Sequence, residues 1–305
     1  MEQRILGKTG YKISVFAFGG IVVRDTPQNE ADSIVAEAID RGINYFDVAP
    51  SYGNSQEILG PAIRPHRSKI YLACKTGKRT KTEALAELAN SFKLLETDYF
   101  DVYQLHAVAP EDVDTVLGPG GALEALAEAK QKGLVRNIGI ATHYNEVALK
   151  LMSAFDFDTL LFPVNWACWL KYDLCQKAVL TEAAKKNMGR IAIKGLADRA
   201  KDPNDPRDTK SPGDPEGLKG DGYPKCWYRP IFDDPELADL ALRFTLQQDV
   251  HTAVSPGDVR MLRLGLSIIE KYNGNPPALN AGELKELGRR ADLVENPIFD
   301  STGWH

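Results

Sequence analysis

The chain has 305 residues, 43% of them apolar and 26% charged, with a formal net charge of −5. This composition supplies enough apolar surface for a sizeable core and argues against global disorder. An acidic chain without a long Lys/Arg run is a poor phosphate-backbone binder, so no nucleic-acid partner is expected.

The N-terminal residues contain no apolar signal-peptide core, and no run of ~18 apolar residues exists for a membrane span. No membrane partner is expected. The four cysteines, Cys74, Cys168, Cys175 and Cys226, form no C-x-x-C pair. Reduced thiols in a cytoplasmic protein are the simplest reading, with Cys168 and Cys175 as packing residues.

In chain order, residues 4–14 read as a small hairpin turning near 8–10, placed as a cap over one end of the fold. An apolar run at 13–18 then precedes a helical pattern at 29–40. Further strand and helix patterns alternate: 44–48 with 56–63, 70–74 with 82–95, and 101–105 with 122–132. The series continues with 136–140 and 146–153, 159–164 and 175–187, 190–193 and 235–247, then 251–254 and 259–271. Eight strand–helix units imply parallel strands with right-handed crossovers, and a closed (β/α)8 TIM barrel fits them better than an open sheet. The open-sheet alternative also lacks a G-x-G-x-x-G after its first strand. A single α/β barrel domain over 1–305 is expected, with a tail over 275–305 that contains one more helix at 281–293.

One composition break interrupts the series. Residues 198–222 are rich in Pro, Gly, Asp and Lys, and 198–230 is a candidate lid loop after the seventh strand. A solvated linker is the alternative.

Polar residues just past the C-terminal ends of barrel strands converge on one mouth. The second strand ends in Asp47 and leads to Tyr52, the third ends in Lys75, and the fourth in His106. A free Tyr has a pKa of ~10 and is a poor proton donor at neutral pH. A nearby ammonium favours the phenolate, so Lys75, held charged by Asp47, is expected to bring Tyr52 into range for proton transfer near pH 7. His106 would orient a carbonyl oxygen. The set suits protonation of a carbonyl while another agent supplies hydride, which implies a nicotinamide cofactor. Singly, each residue has a plainer reading: a surface Lys, a structural His, a loop Tyr.

The stretch Phe46-Asp47-Val48-Ala49-Pro50-Ser51-Tyr52-Gly53, with Lys75 and Leu105-His106, resembles the aldo-keto reductases. The segments starting at Leu6-Gly7-Lys8 and Gly133-Leu134-Val135 are similar to that family as well, and the resemblance spans roughly 3–275. It implies a (β/α)8 barrel, an Asp–Tyr–Lys–His tetrad at Asp47, Tyr52, Lys75 and His106, and NADP(H), less often NAD(H). It also implies a small-molecule carbonyl or alcohol substrate.

The cofactor half departs from the family pattern. Where the family has Ser–Asn after the fifth strand, this chain has Thr142 and His143. The family's Gln in the sixth strand falls at Leu161 or Pro163, with Asn165 and Trp166 following as substitutes. The aromatic expected beneath the nicotinamide falls at Ile193, followed by Lys194, Gly195 and Leu196; Gly20, Ile21 and Asp47 are further cofactor-binding candidates. Ser255, Pro256, Gly257 and Asp258 precede a helix whose N-terminal N–H groups suit phosphate. Asp258 would repel a 2′-phosphate, or is a plain N-cap, whereas Arg263, with Arg260 nearby, favours one; the expectation leans to NADP(H).

Trp166, Trp169, Trp227 and Tyr228 are the candidate substrate walls, suited to an apolar or ring-bearing carbonyl compound or a sugar face. The mouth offers few cations beyond Lys171 and Arg229, so a phosphorylated substrate is not expected. No cysteine follows Cys226, which sets the chain apart from a branch of the family bearing a ferredoxin-like cluster. Two other readings stay open: a cofactor-binding sensor or accessory subunit with little turnover, and a lyase or isomerase working without net redox.

Overall fold

The structure is a computed structural model that describes residues 1–172, 176–202, 204–205, 208, 222–300 and 303–304. The chain opens with an antiparallel ribbon of β1 (Gln3–Ile5) and β2 (Lys12–Ser14), joined through a 3-10 turn at Gly7–Thr9. Seven parallel strands follow: β3 (Phe16–Gly19), β4 (Tyr45–Asp47), β5 (Tyr71–Thr76), β6 (Phe100–His106), β7 (Val135–Ala141), β8 (Thr159–Pro163) and β9 (Gly189–Ile193). A short ribbon of β10 (Ala197–Arg199) and β11 (Arg229–Pro230) comes next, and then β12 (Thr252–Val254). β12 pairs with both β9 and β3 and closes the eight-stranded barrel.

Helices α1 (Gln28–Asp40), α2 (Ser55–Ile63), α3 (Lys81–Leu94), α4 (Val113–Leu117), α5 (Ala122–Gln131) and α6 (Asn145–Ala154) follow the first five barrel strands. The ring continues with α7 (Trp166–Leu170), α8 (Gln176–Lys185), α9 (Pro235–Gln247) and α10 (Val259–Lys271), and α11 (Ala281–Asp292) adds a tail helix. This is the (β/α)8 barrel that the alternating pattern implies; α4 and α7 are short additions that periodicity did not foresee. No helix of the described residues is long and apolar enough to cross a membrane.

Two apolar clusters show how the strands are used. Ala17, Tyr45, Ala73, Val102, Leu161 and Ile191 pack together inside the barrel. Their strand neighbours Phe16, Phe18, Phe46, Leu72, Leu105, Leu160 and Ala192 belong to the other cluster, beneath the helices. Successive residues face opposite sides of a strand, so each strand divides its side chains between barrel and helix layer. The helices meet the second layer with one stripe each. In α1 the buried residues are Ala31, Ile34, Val35 and Ala38, the i, i+3, i+4, i+7 spacing of a single helix face.

The tail helix is tied down by charge as well as by packing. Arg243 of α9 is 4% exposed and reaches Glu283 of α11 at 2.7 and 2.9 Å and Asp239 at 3.2 Å. Asn280 and Glu283 form a capping box that starts α11.

The N-terminal ribbon closes the end of the barrel where the strands begin. Leu6 is fully buried in the inner cluster, and the backbone N–H of Lys8 donates to the Asn187 carbonyl at 2.7 Å, two residues before β9. Gly7 has φ +48°, and a Cβ there would lie 2.5 Å from the Asn187 oxygen, so both conformation and space require glycine. Leu6→Ala should therefore leave a cavity and cost about 2–5 kcal/mol, read from the shift of the urea unfolding midpoint. Lys8→Ala, which removes only an exposed ion pair to Asp156, should cost under about 1 kcal/mol. Equal costs for the two variants would rule out the plug.

Candidate active site

Strand parity decides which polar side chains reach the barrel mouth. Asp47 sits two residues after the inward Tyr45, and Lys75 two after the inward Ala73. His106 sits four after the inward Val102, with Gln104 between them. Tyr52 arrives from the loop between β4 and α2. That loop is fixed by the Tyr52 N–H donating to the Ala49 carbonyl at 3.1 Å and the Ser55 hydroxyl donating to the Tyr52 carbonyl at 2.7 Å.

Lys75, 1% exposed, donates to the Asp47 carboxylate, to the Tyr52 hydroxyl oxygen at 3.3 Å and to the Val48 carbonyl at 3.4 Å. Asp47 Oδ1 accepts from Gln104 Nε2 at 3.0 Å. The His106 ring stands edge-on to Tyr52 with centroids 6.1 Å apart. On its other side Tyr52 meets the Trp227 ring at 5.5 Å.

The electrostatics differ from the sequence expectation in one respect. Burial raises the Tyr52 pKa more than Lys75 lowers it, so the net direction is upward. Lys75 itself is pulled down by burial, but Asp47 and then Tyr52 outweigh that and its net direction is also up. A desolvated phenol stays protonated at neutral pH. His106 is pushed well below its usual range, first by burial and then by Lys75, His143, Arg79 and Lys194, so it is a neutral imidazole.

These groups open into one cavity of about 290 Å3. Of the residues singled out from sequence, Asp47, Tyr52, Lys75, His106, Ile21, Thr142, His143, Ile193, Lys194, Ser255, Pro256, Gly257, Trp227 and Tyr228 line it. Gly19, Ala141, Leu161, Val254 and Cys226 complete the apolar part of the wall. Burial pushes the Cys226 thiol up to about 12, which leaves it unreactive.

Several expected site residues are placed elsewhere. The segment after β8 turns into α7, with Asn165 as its N-cap accepting from the Ala167 and Cys168 N–H groups. The Asn165 amide nitrogen donates to the Lys194 and Ala197 carbonyls, so its hydrogen-bonding groups are committed to backbone. α7 also carries Trp166 and Trp169 away from the cavity: the Trp166 indole donates to the Ala197 carbonyl at 3.0 Å, and Trp169 packs edge-on against Phe244. Gly20 and Gly195 are packing positions, where a Cβ would meet Val48 at 2.8 Å and Thr245 at 2.5 Å respectively. Leu196 joins the helix-layer core.

Asp258 is the N-cap of α10 and holds Arg260 at 2.6 Å. Arg263 points outward and pairs with Glu37 at 2.8 Å. Lys171 donates to the Asp292 and Val294 carbonyls, and Arg229 pairs with Asp205. Cys168 packs against Phe299, and Cys175 lies outside the described residues. So do residues 203, 206–207 and 209–221 of the proposed lid loop; its base is pinned where β10 meets β11.

Gln104 escaped the sequence reading. Its signal was a polar residue within β6 with the parity of Val102 and His106. Space for it comes from Gly139 on β7, where a Cβ would lie 2.8 Å from Gln104 Cγ.

The donor set suits the ring end of a nicotinamide cofactor. Ile193, Leu161, Val254 and Ala141 supply an apolar surface for a planar ring, and the Ser255–Pro256–Gly257 backbone adjoins it. The carboxamide grip differs from the sequence expectation, because the Thr142 hydroxyl already donates to the Val108 carbonyl at 2.8 Å and accepts from the Tyr144 N–H. His143 is the polar side chain beside it, backed by the Phe299 ring at 5.7 Å.

Residues 16–268 match the model of the Aldo/keto reductase family. An "Uncharacterized oxidoreductase YqkF" of Bacillus subtilis is 37% identical over 47% of this chain and 49% of its own length. "Aldo-keto reductase YhdN" of the same organism is 31% identical over 54% of each chain, and an L-galactose dehydrogenase of Arabidopsis thaliana is 32% identical over 46% of this chain and 48% of its own. The chain thus matches about half the length of these relatives. Among solved structures, the holo form of the aldo-keto reductase AKR11C1 from Bacillus halodurans superposes with a TM-score of 0.68 at 21% identity, over 95% of this chain and 96% of that one. An aldo/keto reductase from Brucella melitensis gives a TM-score of 0.65 at 20% identity, over 94% and 98%. At these identities the structural likeness speaks for the fold alone.

The Gln104 contact can be tested apart from any activity. Gln104→Met keeps the volume and removes the donor, leaving Asp47 Oδ1 buried without its amide partner. The expected loss is about 1–3 kcal/mol in urea unfolding. A loss under about 0.5 kcal/mol would show that Asp47 does not depend on it.

Proposed function

The chain belongs to the aldo/keto reductase family, and from that premise we propose that it reduces an aldehyde or ketone to an alcohol, with Tyr52 as general acid. The observation that carries this reading is the half-buried Tyr52 hydroxyl 3.3 Å from an ammonium that Asp47 holds in place, in one cavity with His106. A protonated Tyr suits the reductive direction, which needs a proton donor.

Ile193, Ser255, Pro256, Gly257 and His143 would hold a nicotinamide cofactor, which would supply the hydride. The protein's own residues do the rest. The His106 imidazole, neutral, donates an N–H to the carbonyl oxygen and fixes its direction. The Tyr52 hydroxyl gives its proton to that oxygen as negative charge develops there. The phenolate left behind faces the Lys75 ammonium, which is worth more to it than to the neutral phenol, so the stabilisation grows toward the transition state. Trp227 and Tyr228 cover the side of the cavity from which water would compete.

Cofactor choice turns on the two arginines. Arg260 is neutralised by Asp258 and Arg263 by Glu37, and neither lines the cavity. The lean toward NADP(H) drawn from their sequence positions is therefore weakened. We propose that both cofactors are accepted with little discrimination.

Tyr52→Phe should lower kcat at least about 100-fold, with cofactor affinity, read by fluorescence titration, changed less than about threefold. Unchanged turnover would end the assignment, and substrate conversion without a change in nicotinamide absorbance would favour a lyase or isomerase. Because the folded pKa of Tyr52 lies above 10.0, the acid stays protonated below that value. The reductive kcat should stay flat through neutral pH and fall only as pH rises through the raised value. An acid limb centred near pH 7 would contradict the burial argument. The kcat/KM values with NADPH and NADH should lie within about tenfold of each other, since Arg260 and Arg263 are both engaged by carboxylates. A preference of about a hundredfold either way would overturn that part.

A further inference from the structure

Gln104 is fully buried on β6, with the inward parity of Val102 and His106. In register it stands between Lys75 on β5 and Gly139 on β7, and Gly139 is paired in turn with Thr159 on β8. The glycine makes the room. A Cβ there would lie 2.8 Å from Gln104 Cγ and 2.2 Å from the Thr159 hydroxyl oxygen, so the glutamine stem and the hydroxyl share the gap. From this gap the carboxamide reaches the mouth, where Nε2 donates to Asp47 Oδ1 at 3.0 Å.

For packing alone, an apolar side chain would serve better. Among the described residues the Gln104 carboxamide makes that one hydrogen bond, and its Oε1 is buried without a partner. The Thr159 hydroxyl across the same gap is also buried without one. A buried amide oxygen left unpaired costs stability that an apolar residue of similar size avoids. What the carboxamide supplies in return is its contact to the carboxylate that holds Lys75.

That contact bears on the geometry of proton transfer. Asp47 takes Lys75 on Oδ2 and Gln104 on Oδ1, so both ends of the carboxylate are tied. A carboxylate held at one end only can turn about its Cβ–Cγ bond and carry the ammonium with it. Lys75 has little slack, because its bonds to the Tyr52 hydroxyl and the Val48 carbonyl are already 3.3 and 3.4 Å long. A shift of roughly 0.3 Å away from Tyr52 would end the first of them.

We infer that Gln104 is a positioning residue for the reaction: by fixing Asp47 it keeps the Lys75 ammonium on the Tyr52 hydroxyl as the proton leaves. This rests on the carbonyl-reducing reading above, and the test separates the two. Wild type, Gln104→Met and Gln104→Glu are assayed with benzaldehyde, butanal and cyclohexanone, each with NADPH and with NADH. The assays run from pH ~5.5 to ~9, between the ordinary carboxyl and phenol ranges. Gln104→Met should lower kcat by about tenfold or more, while KM and cofactor affinity stay within about threefold of wild type. Circular dichroism at each pH reports whether the fold is intact.

Gln104→Glu supplies the readout that packing alone would not move. The introduced carboxyl, when neutral, can donate an O–H to Asp47 Oδ1 as the amide does; when ionised, it sets two carboxylates against each other. The titratable groups around that position are Asp47 and Tyr45 of β4, Lys75 of β5, His106 on the same strand and Tyr52 from the loop after β4. From β7 and β8 come Gly139 and Thr159, which do not titrate. The kcat of Gln104→Glu should approach wild type at the acid end and fall toward that of Gln104→Met as pH rises, a limb that wild type lacks. A Gln104→Met variant with unchanged kcat overturns the inference and leaves the reductase reading standing. So does a Gln104→Glu variant as slow as Gln104→Met at every pH, or a kcat loss that tracks the loss of circular dichroism, because packing then accounts for it. A wild type that reduces none of these carbonyls ends the reading, and this inference with it.

Discussion

A closed parallel barrel allows each strand residue two destinations, the barrel interior or the layer under the helices, and successive residues must alternate between them. In this protein that constraint sorts Ala17, Tyr45, Ala73, Val102, Leu161 and Ile191 inward and Phe16, Phe46, Leu72, Leu105 and Leu160 outward. The same parity, carried two or four residues further, delivers Asp47, Lys75 and His106 to the interior at the mouth. The core and the site are thus one pattern read at two heights. A one-residue slip in β5 would turn Lys75 away from Asp47, toward the layer beneath the helices.

Burying Lys75 so completely has consequences for its neighbours. An ammonium removed from water needs a close counter-charge, and Asp47 supplies it, oriented by Gln104 through its other oxygen. Tyr52 nevertheless feels its own desolvation more strongly than the cation 3.3 Å away. Counting charges at strand ends predicts an acidified phenol; weighing burial against charge gives a protonated one. In the proposed mechanism, Lys75 would then matter chiefly at the moment Tyr52 becomes anionic.

The sequence was weakest where a side chain's destination depends on local backbone turns. Asn165 looks like a carboxamide ligand by position, yet as the N-cap of a five-residue helix its amide is consumed by the backbone. The same helix swings Trp166 and Trp169 off the wall and leaves that place to Trp227 and Tyr228. Arg263 stands one helical turn into α10 on a face that meets Glu37 of α1, a pairing across 226 residues that no local pattern reveals. Gln104 was missed for the opposite reason. It sits in the middle of a strand, where a polar residue is expected to be an exception, and its partner lies 57 residues away.

The barrel was legible in the chain alone, because short apolar runs alternating with period-3.6 segments leave few other ways to bury both faces of eight short strands. The sequence also determined that Asp47, Tyr52, Lys75 and His106 share a mouth, since strand ends converge whatever the details of packing. Tertiary structure alone decided protonation, partner choice and which aromatics form the wall. Those depend on desolvation and on contacts between residues far apart in the chain, and neither is encoded in any short stretch of it.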